Sequence, residues 1–550
     1  MIARVPQPHR QQQTTVGRRT IDDSRCAAVS RIGCCLLLVL GASQLLAWDP
    51  IEADWLLRDG MLSDGSGGPA VVGDLAIKGD RIVAVGRFES RAARVIDCRG
   101  KVIAPGFIDL HNHSDNRIVQ AQTRLARNYL TQGCTTIVTG NCGGGKLDVA
   151  DYLSQLERHG AGVNVVHLIP HGSLRRRIIG QTKRAPTADQ IEQMKQLVER
   201  GMREGAWGMS TGLIYVPGAY ATTDEIIALA RVVSTYGGIY ASHIRDERAG
   251  LLESVEEALK IGQGASLPVH ISHFKVLGKP NWGTVRLAAR QIEQARHAGQ
   301  SVTADQYPYL ASSTSLGAML LPSEARAGGR EAMIARLKDP RQRVQLRNQI
   351  AENLRNRGGI QIVSYTPRPE WVGKRLSEIA QQEKRSAADL AVEILQQGGA
   401  GAVNFGMSPD DVRFVMQLAW VATASDGSVK LPSKTRPHPR SYGTFPRKLG
   451  YYRRQEQAIS LDHAVRSCSG LPADILGITD RGYLRPGYFA DVTVFDPAEI
   501  EDRATFEEPF VDSRGVLWVW VNGRAAIADG KPSDRLAGRP LRHVSRSAGQ

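Results

Sequence analysis

The chain of 550 residues lacks any run of the ~20 consecutive apolar residues that a membrane-spanning helix needs, which excludes a polytopic membrane protein. Aromatic residues are few, at 6%, and do not interleave with basic runs. Lys and Arg number 70 against 55 Asp and Glu, but residues 1–47 and 535–550 each hold a surplus of +4, so about +7 of the net +15 belongs to the body. That mild surplus argues against nucleic-acid binding and suits an anionic small substrate. Of the seven cysteines, Cys26, Cys34 and Cys35 stand near the amino end, and Cys98, Cys134, Cys142 and Cys468 have no close paired spacing, so a disulfide framework is not expected. No internal repeat is visible. What remains is ordinary globular composition, 42% hydrophobic and 23% charged, in a length that suggests about three or four domains unless one is a long α/β barrel.

Residues 1–47 read as a leader. Arg25 and Arg31 precede GCCLLLVLGASQLLA (33–47), which has the length of a signal-peptide core and is too short to span a bilayer. Export, to the periplasm or the medium, is the expectation; the alternative is a cytoplasmic protein whose start is set too far upstream.

Between Trp55 and Ile103, apolar and polar residues alternate between Gly-rich turns, as in short hairpin strands, and a second such block (GYLRPGYFADVTVFDP, RGVLWVWVNGRAAIADG) appears near the carboxyl end. Residues 48–103 plus 478–530 are therefore expected to form one small β-sandwich domain. Between them lie eight short apolar runs, at 102–113, 135–142, 164–170, 205–214, 237–244, 268–276, 302–309 and 418–427, separated by helix-like segments such as TADQIEQMKQLVERGMREG. Eight β/α units predict a (β/α)8 barrel over 104–316 plus 404–477. Residues 317–403 are too long and too charged for one crossover and read as an inserted α/β subdomain near the barrel mouth, and 531–550 as a basic tail.

Chemistry-bearing residues gather at the carboxyl ends of these runs. His111 and His113 stand two apart, so strand alternation puts both on one face with Asp109 and Asp115. An HxH pair there, where barrels keep their active sites, points to metal, against the plainer reading of loop histidines. Cys142 ends the second run in TGNCGGG, where glycines cannot pack a core, and reads as a thiolate ligand; Cys134 begins that run and reads as core. His243 ends the fifth run and His273 lies in the sixth, with Lys275 on the same face. The same alternation assigns His270 and Ser272 to the opposite face, with His270, His167 and His297 expected to pack beneath helices. Asp426 ends the last run in TASDG, where an ordinary turn carboxylate is the alternative. Imidazole and thiolate donors favour Zn²⁺ over Mg²⁺ or Ca²⁺. Water in an open position would have its pKa lowered to about 7, and Asp426 could take its proton and pass it to a leaving nitrogen.

The set PGFIDLHNHSD, TTIVTGNCG, GLIYVPGAY, YASHIRDE, SHFKVLG, DQYPY, ASDG and HPRSYGTFPR resembles the D-aminoacylases (N-acyl-D-amino-acid deacylases) of the amidohydrolase superfamily, from about Asp54 to Gly530. The resemblance implies a small N-acyl amino acid as substrate and a tightly held zinc on Cys142, His243 and His273. It implies a second, weaker site on His111 and His113, Asp426 as acid/base, Lys275 in support, and Arg440 on the substrate carboxylate. Tyr307 or Tyr309 would stand near the substrate, with the doublet leaving the choice open. Ser114 replaces a frequent acid of the family, and MQLAW before the last strand is atypical.

Two other readings are weaker. Dihydroorotase-like and hydantoinase-like enzymes bridge two metals with a carboxylated strand lysine, whereas between His113 and His243 the only lysines are Lys146, Lys183 and Lys195, none in an apolar run. An inactive barrel kept as a binding scaffold would have lost one or more of the six site positions, and all six are intact.

Overall fold

A computed structural model describes residues 50–544. The expected leader and the last six residues lie outside the described residues.

Eight parallel strands follow one another around the catalytic layer: Phe107–Asp109, Cys134–Thr139, Asn164–His167 continuing as Ile169–Pro170, Gly208–Gly212, Ile239–His243, Val269–Ile271, Val302–Gln306 and Val421–Thr423. Each pairs in parallel with the next, and the ring returns to its start where Asn112 bridges Gly427 and the His113 N–H donates to the Gly427 carbonyl at 2.8 Å. Covering both faces of a parallel strand requires apolar residues on both, which is why these strands read as short unbroken runs. The covering helices are amphipathic. In Ala188–Arg203, Met194, Val198 and Met202 recur every fourth residue and are buried, and Thr187 and Gln190 close its first turn as a capping box. Gly201 on that inward stripe lets the helix approach the third strand, since a Cβ there would stand 2.9 Å from Ile169.

Both ends of the chain meet in the small β domain, where Val492–Phe495 pairs antiparallel with Val102–Pro105. The expected sandwich is one hydrogen-bonded network of nine strands that forks. One edge of Ile51–Leu62 takes Val71–Lys78; the other takes Ser90–Asp97 along its first part and Val102–Ile103 at its end. The inserted layer is slightly wider than 317–403. It runs from strand Ser312–Ser315 to strand Gly401–Phe405, which pairs with Gly359–Ser364, and five helices from Leu316 to Gln396 pack on this sheet around Leu316, Leu337, Ile350, Ile362 and Leu395.

The described part of the expected basic tail packs on the barrel. The Val165 N–H donates to the Arg539 carbonyl and Trp207 Nε1 to the Leu541 carbonyl (2.9 and 2.7 Å), so this segment straps the amino-terminal ends of the third and fourth barrel strands. The four described cysteines are unpaired, with Cys134 buried in the core. His297 ends its helix exposed rather than packed. Among the described residues no helix is long and apolar enough to cross a membrane.

Candidate metal centre and active site

Five strand ends bring the ligand candidates together. His243 is the last residue of the fifth strand, and its Nδ1 lies 3.5 Å from Cys142 Sγ and 2.8 Å from His273 Nε2, which is itself 3.9 Å from Sγ. His111 Nε2 lies 3.2 Å from the same sulfur, and His113 Nε2 lies 3.0 Å from Asp426 Oδ1. The imidazoles of His111 and His113 are 5.2 Å apart and those of His111 and His273 4.9 Å apart. One thiolate and two imidazole nitrogens within 3.9 Å of one another match the donor type and span of a tetrahedral zinc, whose bonds are about 2.0–2.3 Å. His111, His113 and Asp426 form an adjoining group that shares Cys142 as its neighbour.

The backbone is strained where these side chains are aimed. Cys142 (φ 52°), His273 (φ 38°) and Asp426 (φ 48°) occupy the left-handed region although none is glycine, a conformation that costs on the order of 1–3 kcal/mol each and persists only when the surroundings enforce it. Gly143 (φ 67°) follows Cys142, and a Cβ there would meet the Gly212 nitrogen at 2.9 Å, so the sulfur is presented by a turn that needs glycine. The Gly143 N–H donates to Ser210 Oγ (3.0 Å), holding the peptide that follows Cys142, and the His273 N–H donates to Asp305 Oδ1 (2.8 Å), holding that strained residue directly.

Electrostatics suit a cation. Burial raises the Cys142 thiol, but His111 and His243 outweigh it and hold the group well below an ordinary thiol. Burial likewise opposes ionisation of Asp426, and Arg440 with His111 overrides it, keeping the carboxylate well below its usual range. Burial lowers His113, and Asp426 and Cys142 bring it up to about 9.

Two carboxylates and a histidine that the sequence reading did not single out as site residues support the ligands. Asp305, near the end of the seventh strand, accepts from His270 Nε2 (2.9 Å) on the Oδ2 that also stands 3.3 Å from His111 Nδ1. Glu247 Oε1 lies 2.8 Å from His273 Nδ1 and accepts from Lys275 Nζ at 2.5 Å. Such partners fix which ring nitrogen faces a metal. The placement of His270 corrects the alternation argument. It points inward with Asp305, because the sixth strand ends at Ile271 and the left-handed turn at His273 resets the faces beyond it. The available signal for Asp305 was an acid inside the seventh apolar run; for Glu247 it was a position four residues after His243.

The remaining candidates separate. Tyr307 lines the cavity that opens on His243, His273, Lys275 and Asp426, and its buried Oη has no hydrogen-bond partner among the described residues. Tyr309 does not line it; it packs against His438 and Arg447. Arg440 begins helix Arg440–Arg447, only 6% exposed, with Nη1 2.7 Å from Asp426 Oδ2 and its guanidinium 4.7 Å from the Tyr307 ring centre. Ser114 is spent on structure, accepting from the Val429 N–H (2.7 Å). The fourth barrel strand, GMSTG, carries no lysine.

Comparison with known proteins agrees with this architecture. Residues 94–527 match the model of an amidohydrolase family. The chain is 38% identical to the D-aminoacylase of Alcaligenes xylosoxydans xylosoxydans over 89% of its length and 97% of the relative's. It is 36% identical to the N-acyl-D-aspartate deacylase of the same organism over 86% and 92%. The crystal structure of N-acyl-D-glutamate deacylase from Bordetella bronchiseptica, complexed with zinc and a phosphonate mimic of the tetrahedral intermediate, superimposes with a TM-score of 0.76 at 34% identity, covering 89% of this chain and all of that one. The chain belongs to the amidohydrolase family.

Proposed function

We propose that the protein is a zinc-dependent amidohydrolase that cleaves the amide bond of N-acyl-D-amino acids, giving a carboxylate and a D-amino acid. The observation that carries this is the convergence of Cys142, His243, His273, His111 and His113 beside a buried Asp426–Arg440 pair in one cluster at the strand ends. The D configuration rests on the likeness to the three deacylases.

Cys142, His243 and His273 would hold a zinc tightly and His111 and His113 a second one more weakly, and the bound metal would supply Lewis acidity and a water that is nucleophilic near neutral pH. Asp426, kept ionised by Arg440 and His111, accepts the proton of the attacking water and returns it to the leaving nitrogen. Arg440 offers paired N–H donors to the substrate α-carboxylate. The unpartnered Tyr307 hydroxyl is a donor at the cavity wall, and Lys275 with Glu247 fixes the His273 ring.

The deciding experiment is a screen of N-acetyl-D- and N-acetyl-L-amino acids, read by amine release, on protein of measured metal content. Cleavage of the D series is expected. Turnover confined to dihydroorotate or hydantoins would favour a cyclic amidohydrolase, and zinc-loaded protein inert to both classes would favour a scaffold.

A further inference from the structure

The cavity above the metal ligands has a second cationic end. Beyond His243, His273 and Tyr307 its wall passes through Ile214, Leu277 and Met319 and includes Arg357, contributed by the inserted layer just after helix Pro340–Arg355, together with Arg248 from the loop after the fifth strand. Arg357 donates from Nη2 to the Met319 carbonyl, but its buried Nε has no hydrogen-bond partner among the described residues. Among the described residues neither Arg357 nor Arg248 has a carboxylate within 4.0 Å. The nearby acids are engaged elsewhere: Glu247 takes Lys275 and His273, and Asp246 accepts the backbone N–H groups of Arg248 and Gly250 at 2.8 and 3.2 Å. Arg248 itself donates to Asn353 Oδ1 (3.1 Å).

The contrast with Arg245 is informative. That guanidinium, three residues before Arg248, is saturated by both oxygens of Glu257 and by the Ala219 and Ala221 carbonyls, as a structural arginine should be. Arg357 is not. Each carboxylate lining this cavity is already engaged, Glu247 by Lys275, Asp246 by backbone N–H groups and Asp426 by Arg440, and Arg357 is the cation left with unused donors. Burial and the charge of Arg248 pull it down to about 10, as expected of a cation held in a dry wall without an anion. A guanidinium with free N–H groups beside apolar neighbours is the usual receptor for a carboxylate.

Building on the deacylase reading, we propose that Arg357 forms a subsite for a second carboxylate of the substrate, distinct from the α-carboxylate assigned to Arg440. The preferred substrates are then N-acyl-D-amino acids with an extra acid group, carried either on the side chain, as in aspartate and glutamate, or on a dicarboxylic acyl group. The two sources share one chemistry and differ in which half of the substrate lies against Arg357.

The test compares kcat/KM of the zinc-loaded protein for N-acetyl-D-aspartate, N-acetyl-D-glutamate, N-succinyl-D-leucine and N-acetyl-D-leucine, in the wild type and in Arg357→Met and Arg357→Lys. At least one acidic substrate should exceed N-acetyl-D-leucine, and Arg357→Met should collapse that ratio on the order of 10- to 100-fold, mainly through KM. Arg357→Lys should retain part of it. Which acidic substrate responds identifies the source of the carboxylate. N-acetyl-D-leucine as the best substrate of the wild type, or an acid-to-neutral ratio that Arg357→Met leaves in place, overturns the subsite while the deacylase reading stands. Should Arg357→Met not fold, the wild-type ratio and its change in Arg357→Lys still decide. Absence of turnover on all four sinks the deacylase reading and this subsite with it.

Discussion

Arg440 Nη1 stands 2.7 Å from Asp426 Oδ2, and both side chains are almost wholly withdrawn from water. The guanidinium assigned to the substrate carboxylate therefore also sets the charge of the proposed acid/base. A carboxylate entering beside Arg440 would share a cation on which Asp426 depends, so substrate binding and proton transfer are coupled through one side chain.

From this pair we expect Arg440→Ala to lower kcat/KM for N-acetyl-D-amino acids and, less steeply, for their carboxamides. Loss of a charge-assisted bond is worth about 1.5–3 kcal/mol, roughly 10- to 150-fold, and only the acids lose it. The carboxamide loss measures the contribution through Asp426. Equal losses on acid and amide would show that Arg440 does not read the carboxylate.

The tight metal site should retain close to one zinc per chain after dialysis, because one thiolate and two imidazoles nearly complete a tetrahedral set while the second position leans on His111 and His113. Elemental analysis of Cys142→Ala should find this zinc lost. Full retention in that variant would remove Cys142 from the ligand set.

Asp426→Asn should keep the tight zinc and lose about 10²- to 10⁴-fold in kcat, since the amide retains the side chain's shape but cannot take a proton. Near-normal turnover would exclude the proposed role.

Glu247 and Lys275 are both buried, and removing one leaves the other charged and alone, at a cost of about 3–5 kcal/mol. Burial raises Glu247, but Lys275 and the neighbouring histidines hold it far below the ordinary value of 4.5. Its contribution to stability is thus present at pH values above 4.5 and is lost as pH falls through the folded-state value. Unfolding of Glu247→Gln in urea should show a deficit at pH 7 that narrows as the pH is taken below about 4. A deficit independent of pH would mean that the lost packing, not the charge, mattered.

Much of the architecture could be read along the chain because its causes are local. Parallel strands buried on both faces must be short apolar runs, and a helix that covers them must repeat its apolar residues every three or four positions. Cys142 among glycines and the HxH pair could likewise be placed at strand ends from sequence, as could Asp426 before a glycine. Strand alternation failed at His270 because the rule holds only while the backbone stays extended, and the strand ends before the left-handed turn at His273. Tyr307 and Tyr309 have the same spacing rule and opposite fates, one on the cavity wall and one against His438 and Arg447.

Composition and periodicity by themselves determined the eight-unit barrel, the two-ended β domain and the residue types gathered at the barrel's carboxyl face. Tertiary structure alone decided that Asp305 serves His111 and His273 together, that Glu247 closes on Lys275, that Arg440 lies on Asp426, and that Arg357 reaches the cavity from the inserted layer. The physical reason is distance in sequence: Asp305 and His111 are 194 residues apart, and their contact exists only once the strands have curved into a ring. Hydrophobic periodicity specifies which face of an element is buried, but the partner met there by a buried charge is set by how the elements close on one another.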